Sequence, residues 1–291
     1  MRRPTFLVTG GTGQLGFELK RTLASLGEVS APARSALDLA DLDCVSTFVR
    51  GLRPDVIVNA AAYTAVDAAE SDADIALRVN AHAPGVLARE ARAMGALFVH
   101  FSTDYVFDGA KGAAHVETDA TSPLNVYGRS KREGELAVLD ACEYALVLRT
   151  SWLYGLRGKN FLLTIRRLAD AGGPLRIVDD QTGNPTWCRC IAEGAGQILA
   201  GTPHQREERI RGNPGLYHLA CSGAATWYEL AREIVAQGGA SSVPVEPIST
   251  ADYPTPAPRP GWTELDCTKM AVTFGVRLPL WRDALTLSLE N

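Results

Sequence analysis

Thr5-Phe6-Leu7-Val8-Thr9-Gly10-Gly11-Thr12-Gly13-Gln14-Leu15-Gly16 is the stretch that decides the fold of this 291-residue chain. Thr5–Thr9 is apolar and β-rich. Gln14–Leu26 carries Leu15, Leu19, Leu23 and Leu26 at helical spacing until Gly27 stops it. Glycines 10, 13 and 16 lie between strand and helix, where each has a physical use. One makes the tight turn, one admits a pyrophosphate close to the backbone, and one lets the helix pack on the strand. The helix N-terminus adds N–H donors and a positive dipole end for an anion. Elsewhere these glycines would read as ordinary turns; between a first strand and a first helix they read as a dinucleotide-binding loop.

Outward from this loop the chain alternates short apolar runs with helical patterns. Val29–Ala31 reads as a short strand, Cys44–Leu52 as a helix and Asp55–Asn59 as a buried strand. Ala65–Glu70 and Ala73–Met94 read as helical with a break near Ser71. Ala96–Phe101 is a strand, Tyr127–Cys142 a helix and Tyr144–Thr150 a strand. Such alternation predicts parallel βαβ units, and Val56-Ile57-Val58 and Leu97-Phe98-Val99 have the continuous apolar character of strands buried on both faces. The expected class is α/β, a Rossmann-like doubly wound parallel sheet over residues 1–155. A smaller α/β substrate-binding region over 156–291 follows, and segments near 175–200 and 215–222 are candidates to rejoin the first domain. Tyr253–Gly261 holds four prolines and reads as an extended ordered loop.

Composition narrows the function. Apolar residues are 46% and charged residues 21%, ordinary for a globular chain, and the net charge of −4 provides no basic field for nucleic acid or an anionic membrane. No run approaches the ~20 apolar residues of a membrane span, and the start of the chain lacks a signal-peptide pattern. The six cysteines offer no metal-ligand spacing and read as buried free thiols of a cytoplasmic protein.

The end of the second strand sets cofactor choice. Ser30-Ala31-Pro32-Ala33-Arg34-Ser35 has no acid before Asp38. Arg34 suits the extra phosphate of NADPH better than the ribose hydroxyl of NADH, although NADH stays possible. Tyr127-Gly128-Arg129-Ser130-Lys131 places Tyr and Lys at i and i+4, on one helix face. A phenol titrates near 10 by itself, and a nearby ammonium is expected to lower that and make it a proton donor to a carbonyl oxygen. Ser102-Thr103-Asp104 follows a strand, where ligands of open α/β sheets bind, and Ser102 and Thr103 are rivals for a catalytic hydroxyl.

With Asn59-Ala60-Ala61-Ala62, these motifs resemble the extended short-chain dehydrogenase/reductase family. Three longer stretches resemble its dTDP-4-dehydrorhamnose reductase branch: Arg53–Asp67, Pro123–Gly128 and Arg149–Tyr154. So do Thr226-Trp227-Tyr228 and Tyr253–Ala257 with Arg259-Pro260. The resemblance implies NADPH-dependent reduction of a dTDP-linked 4-keto-6-deoxy sugar. The alternatives are a reductase or epimerase of another nucleotide-linked keto-deoxy sugar, or a non-catalytic NADP-binding regulatory subunit. It implies contacts from Gly13, Gln14 and Leu15 to the pyrophosphate, within the cofactor loop that Gly10 and Gly16 complete, from Asp38 and Leu39 to the adenine, and a cleft lined by Ala62, Tyr63, Thr64 and Phe101. It further implies Thr103, Tyr127 and Lys131 as catalytic residues, and Thr103, Asp104 and Trp152 on the substrate. Arg259, in the proline-rich loop, is a candidate for the diphosphate because a guanidinium matches phosphate geometry. Asn80 matches a structural asparagine. Some members form a magnesium-bridged homodimer through glutamates. Glu18 matches one of these, while Arg189 stands where a second would be, so magnesium stays unassigned.

Overall fold

The computed structural model describes residues 2–239 and 243–290. Six parallel strands form the main sheet. Five come from the first half of the chain: β1 (Thr5–Thr9), β2 (Glu28–Ser30), β3 (Val56–Asn59), β4 (Leu97–Thr103) and β5 (Leu146–Thr150). The sixth, Gly215–His218, returns from the second half to pair with β5. The order across the sheet is Gly215–His218, β5, β4, β3, β1, β2. Chain direction across the sheet therefore reverses between β1 and β3, and a cleft is expected at the carboxyl ends of those strands.

Side chains alternate across the sheet as the period of two requires. Phe6, Val8, Val56, Val58, Val99 and Leu148 point to one face, against α1 (Gln14–Ala24) and the helix Cys188–Leu199. Leu7, Ile57, Phe98 and Val147 point to the other, against α2 (Leu42–Leu52) and α4 (Ala83–Met94). On that second face α4 packs against α5 (Val126–Ala141). The rest of the second half builds smaller paired strands, Leu175–Val178 with Val245–Ile248 and Thr182–Gly183 with Ala225–Thr226. Its helices Phe161–Ala171 and Trp227–Gln237 bury Leu162, Ile165, Leu230 and Ile234 in the same core as α1.

Four readings are corrected. The β4 strand runs through Ser102 and Thr103 instead of ending at Phe101, because these residues pair with Arg149 and Thr150 of β5. Of Ala65–Glu70, only Ala68–Glu70 is helical, as a 3-10 turn. Past the break, α3 (Ala73–Leu77) and α4 are joined by a π-helical segment, Arg78–His82, which contains Asn80. Such wide turns cluster at functional sites because they re-aim a side chain. Finally, Cys44 and Cys267 are half-buried at helix starts, while Cys142, Cys188, Cys190 and Cys221 are buried; all six are free.

Candidate active site

A cleft of about 710 Å³ opens at the carboxyl ends of the strands, a size that suits a small-molecule site. It is lined by Gly10, Gly13, Gln14, Leu15, Gly16, Arg34, Asp38, Leu39, Ala62, Tyr63, Thr64, Phe101, Thr103, Asp104, Tyr127, Lys131 and Trp152. Arg259 is absent from that lining. Its guanidinium donates to Asp67 Oδ2 at 2.9 Å and to the Ala257 carbonyl at 2.8 Å.

The glycine turn is built to be close. The Gly13 N–H donates to the Gly10 carbonyl at 2.8 Å, and a Cβ on Gly16 would overlap that same oxygen. Gly10 has φ +69°, and a Cβ there would meet the Ala61 backbone at 2.9 Å. These are the contacts of a backbone cradle that leaves the first turn of α1 open to a pyrophosphate. At the far end, Arg34 is largely exposed and reaches Asp38 at 3.3 Å. The Ala40 amide, helped by Arg34, holds the Asp38 carboxyl below its usual range. The cleft thus has a tight glycine turn at the start of α1 and a largely exposed guanidinium, paired with Asp38, beside the second strand.

The centre of the cleft is set by β4 and α5. Asn125 caps α5 by accepting from the Gly128 N–H at 2.8 Å, and it donates to the Pro258 carbonyl at 2.9 Å, tying the proline-rich loop to the start of the helix. Tyr127 lies in the first turn and lines the cleft together with Thr103. Lys131 is buried and donates to the Phe101 carbonyl at 2.6 Å. Asn80 holds the neighbouring loop: it accepts from the Tyr63 N–H at 2.8 Å and donates to the Tyr63 carbonyl at 3.0 Å and to Ser130 Oγ at 2.9 Å.

Electrostatics correct one expectation. Lys131 does not draw the phenol down. Burial pushes Tyr127 up to about 12, only partly offset by the Thr103 hydroxyl, while Lys131 spends its charge on a backbone carbonyl. Burial also lowers Lys131 to about 8. The tyrosine is therefore held as a neutral acid, which is the form that can donate. Ser102 and Thr103 are also separated. Ser102 Oγ donates to Glu135 Oε1 at 2.6 Å, whereas Thr103 faces Tyr127.

Asp104 is fully buried, and burial raises its carboxyl to about 6. Its oxygens accept from the hydroxyls of Thr263 at 2.6 Å, Ser151 at 3.0 Å and Thr103 at 3.1 Å. Sequence reasoning missed Ser151 and Thr263; Thr263 lies 159 positions away and has no local signal. It also missed Trp227, which lines the cleft and stacks flat on Trp152 with ring centroids 3.5 Å apart. Trp152 sits at φ +46°, strained for a side chain of that size. Lys159 and Asn160 line the same wall, and Asn160 donates to Gln14 Oε1 at 2.7 Å. Among the described residues, no group of three or more His, Cys, Asp or Glu side chains is arranged to hold a metal ion, and Arg189 pairs with Glu193. Also among the described residues, no helix is long and apolar enough to cross a membrane.

The family model described as RmlD substrate binding domain matches residues 4–291. A dTDP-4-dehydrorhamnose reductase of Burkholderia thailandensis is 46% identical, with 98% of each chain covered. One of Escherichia coli is 39% identical over 95% of this chain and 94% of its own. The crystal structure of a dTDP-4-dehydrorhamnose reductase of Bacillus anthracis in complex with NADP superposes with a TM-score of 0.92 at 30% identity, covering 100% of this chain and 99% of that one. The chain belongs to the RmlD family, the dTDP-4-dehydrorhamnose reductases of the extended short-chain dehydrogenase/reductase group.

Proposed function

We propose that this protein reduces the 4-keto group of dTDP-4-dehydro-β-L-rhamnose to give dTDP-L-rhamnose. NADPH, when bound, supplies the hydride. The observation that carries the reading is the convergence of Thr103, Tyr127 and Lys131 in one cleft with the glycine cradle. The first turn of α1 holds the pyrophosphate, Arg34 the additional phosphate, and Lys131 the ribose next to the nicotinamide. Tyr127 donates its proton to the sugar oxygen as negative charge develops there, and Thr103 holds that oxygen by its hydroxyl. Asp104 and Trp152 hold the sugar. Arg259 binds the diphosphate after exchanging its Asp67 partner. Residues 1–155 hold the cofactor and also present Thr103, Asp104, Tyr127 and Trp152 to the sugar, while 156–291 mainly serve the substrate. Free thiols and NADPH chemistry fit a reducing cytoplasm.

The test follows nicotinamide absorbance with dTDP-4-keto-L-rhamnose and either cofactor, with NMR of the product. Oxidation of NADPH yielding dTDP-L-rhamnose is expected. Tyr127→Phe should lose about a hundredfold or more in kcat while NADPH affinity stays close to that of the parent. Turnover that survives in Tyr127→Phe would overturn the assignment of the proton donor.

A further inference from the structure

Behind the cleft lies a buried ion group that the proposed reaction does not use. Glu135 stands one turn after Lys131 on α5 and is completely buried. Its carboxylate accepts from both Nε and Nη2 of Arg149 at 2.7 and 2.8 Å, from Arg132 at 2.9 Å and from Ser102 Oγ at 2.6 Å. Arg149 is itself 1% exposed and sits on β5, in register with Ser102 on β4. A single carboxylate thus joins the helix carrying Tyr127 and Lys131 to two adjacent strands, and one of its tethers is the residue next to Thr103.

Apolar side chains of the same volume would pack such a site at least as stably, because charges lose their hydration on burial. The ion group's position therefore calls for another explanation. We propose that Glu135 is a positioning residue for the Tyr127–Lys131 pair: it registers their helix against the strand of Thr103 and supplies the negative charge that keeps Lys131 an ammonium. This rests on the reductase reading for the roles of Tyr127, Lys131 and Thr103.

The surroundings of Lys131 fit that role. Burial opposes its charge, and Glu135 is the group that favours it. From β4 it faces His100, which is buried, bonded to Asn59 at 2.9 Å and held neutral by burial and by Lys131 itself. Glu135 in turn faces Arg132 on its own helix, Arg149 from β5 and Ser102 from β4. Loss of the Glu135 charge should release the Lys131 proton at lower pH. Loss of the Arg132 charge should make the proton harder to remove.

The test reads Lys131 directly. The NMR titration of lysine side chains is followed in cofactor-free protein, with Lys131 assigned through Lys131→Met. The parent midpoint is expected near 8. Glu135→Gln should lower it by about one unit and Arg132→Gln should raise it, with the alkaline limb of the kcat profile moving the same way in each. Ser102→Ala should leave the midpoint in place and lower kcat, since it cuts a tether and keeps the charge. Ser102→Ala keeps every charge of the group in place, so it still decides the matter if Glu135→Gln fails to fold. A midpoint unmoved in Glu135→Gln overturns the proposal, as does parental kcat in Ser102→Ala. A parent with no turnover, but with the expected lysine shifts, removes the proposed reaction and supports the electrostatic role of Glu135.

Discussion

The two walls of the cleft are built in opposite ways. The wall proposed to hold the cofactor is local: β1, the glycine turn and the start of α1 are consecutive in the chain, and the Gly13-to-Gly10 bond and the Gly16 contact close within seven residues of sequence. The wall proposed to hold the sugar is assembled from afar. Asp104 is held by Ser151 and Thr263, Trp152 by Trp227, and Asn125 by Pro258. A local wall depends on backbone fit at a few positions, so one methyl group there should do disproportionate harm. A wall of long-range contacts is lost piece by piece.

The sharpest break is Gly16→Ala. Its Cβ would fall on the Gly10 carbonyl oxygen, and neither partner can yield without moving backbone. The strain expected of such overpacking is about 1–3 kcal/mol, and most of it falls on the pyrophosphate cradle. NADPH Kd, measured by fluorescence titration, should rise by about ten- to a hundredfold. Gly51→Ala is the contrast: it lies inside α2 with open space around it, and should raise stability by about 0.5–1 kcal/mol with Kd unmoved. Equal effects of the two changes would mean that the close approach is not what the turn requires.

This difference also explains what was legible in the sequence. The glycine loop, the β-α alternation and the Tyr127–Lys131 pair are short-range patterns, each readable from its spacing, and the structure gathers them at one cleft. The π-helical turn at Arg78–His82 left no mark, because it is imposed by packing: α5 presses so closely there that a Cβ on Gly134 would overlap the Asn80 carbonyl. The hydroxyls around Asp104 were invisible for the related reason that serine and threonine carry no pattern until the fold brings them together. The raised phenol of Tyr127 was misread because spacing shows a neighbouring ammonium but not the desolvation that outweighs it. The motif Thr226-Trp227-Tyr228 was seen as a likeness without a role; only the stack on Trp152 provides one.

Trp227→Ala tests the dispersed wall. It removes the flat partner of Trp152 and leaves the glycine cradle untouched. Aromatic stacking of this kind contributes about 0.5–1.5 kcal/mol beyond buried area, so KM for the sugar nucleotide should rise by about tenfold. NADPH Kd should stay within about twofold, since sites with no shared partners are nearly independent. A rise in NADPH Kd with KM unchanged would mean that the two walls are coupled and that the contrast drawn between them is false.

A last contrast lies at the far rim of the local wall, where Arg34 stands. Its side chain is 77% exposed and its contact with Asp38 is a long surface pair, so swinging away costs little. A guanidinium that moves from a weak carboxylate contact to a phosphate gains a charge-assisted bond of about 1.5–3 kcal/mol. Arg34→Ala should therefore lower the NADPH-to-NADH ratio of kcat/KM by about tenfold, with the loss on the NADPH side alone. Asp38→Asn should move the ratio the other way by a smaller factor, because it weakens Arg34's present partner. An unchanged ratio in Arg34→Ala would take the arginine out of cofactor choice and leave Gly10–Gly16 as the part of the local wall that matters for the dinucleotide.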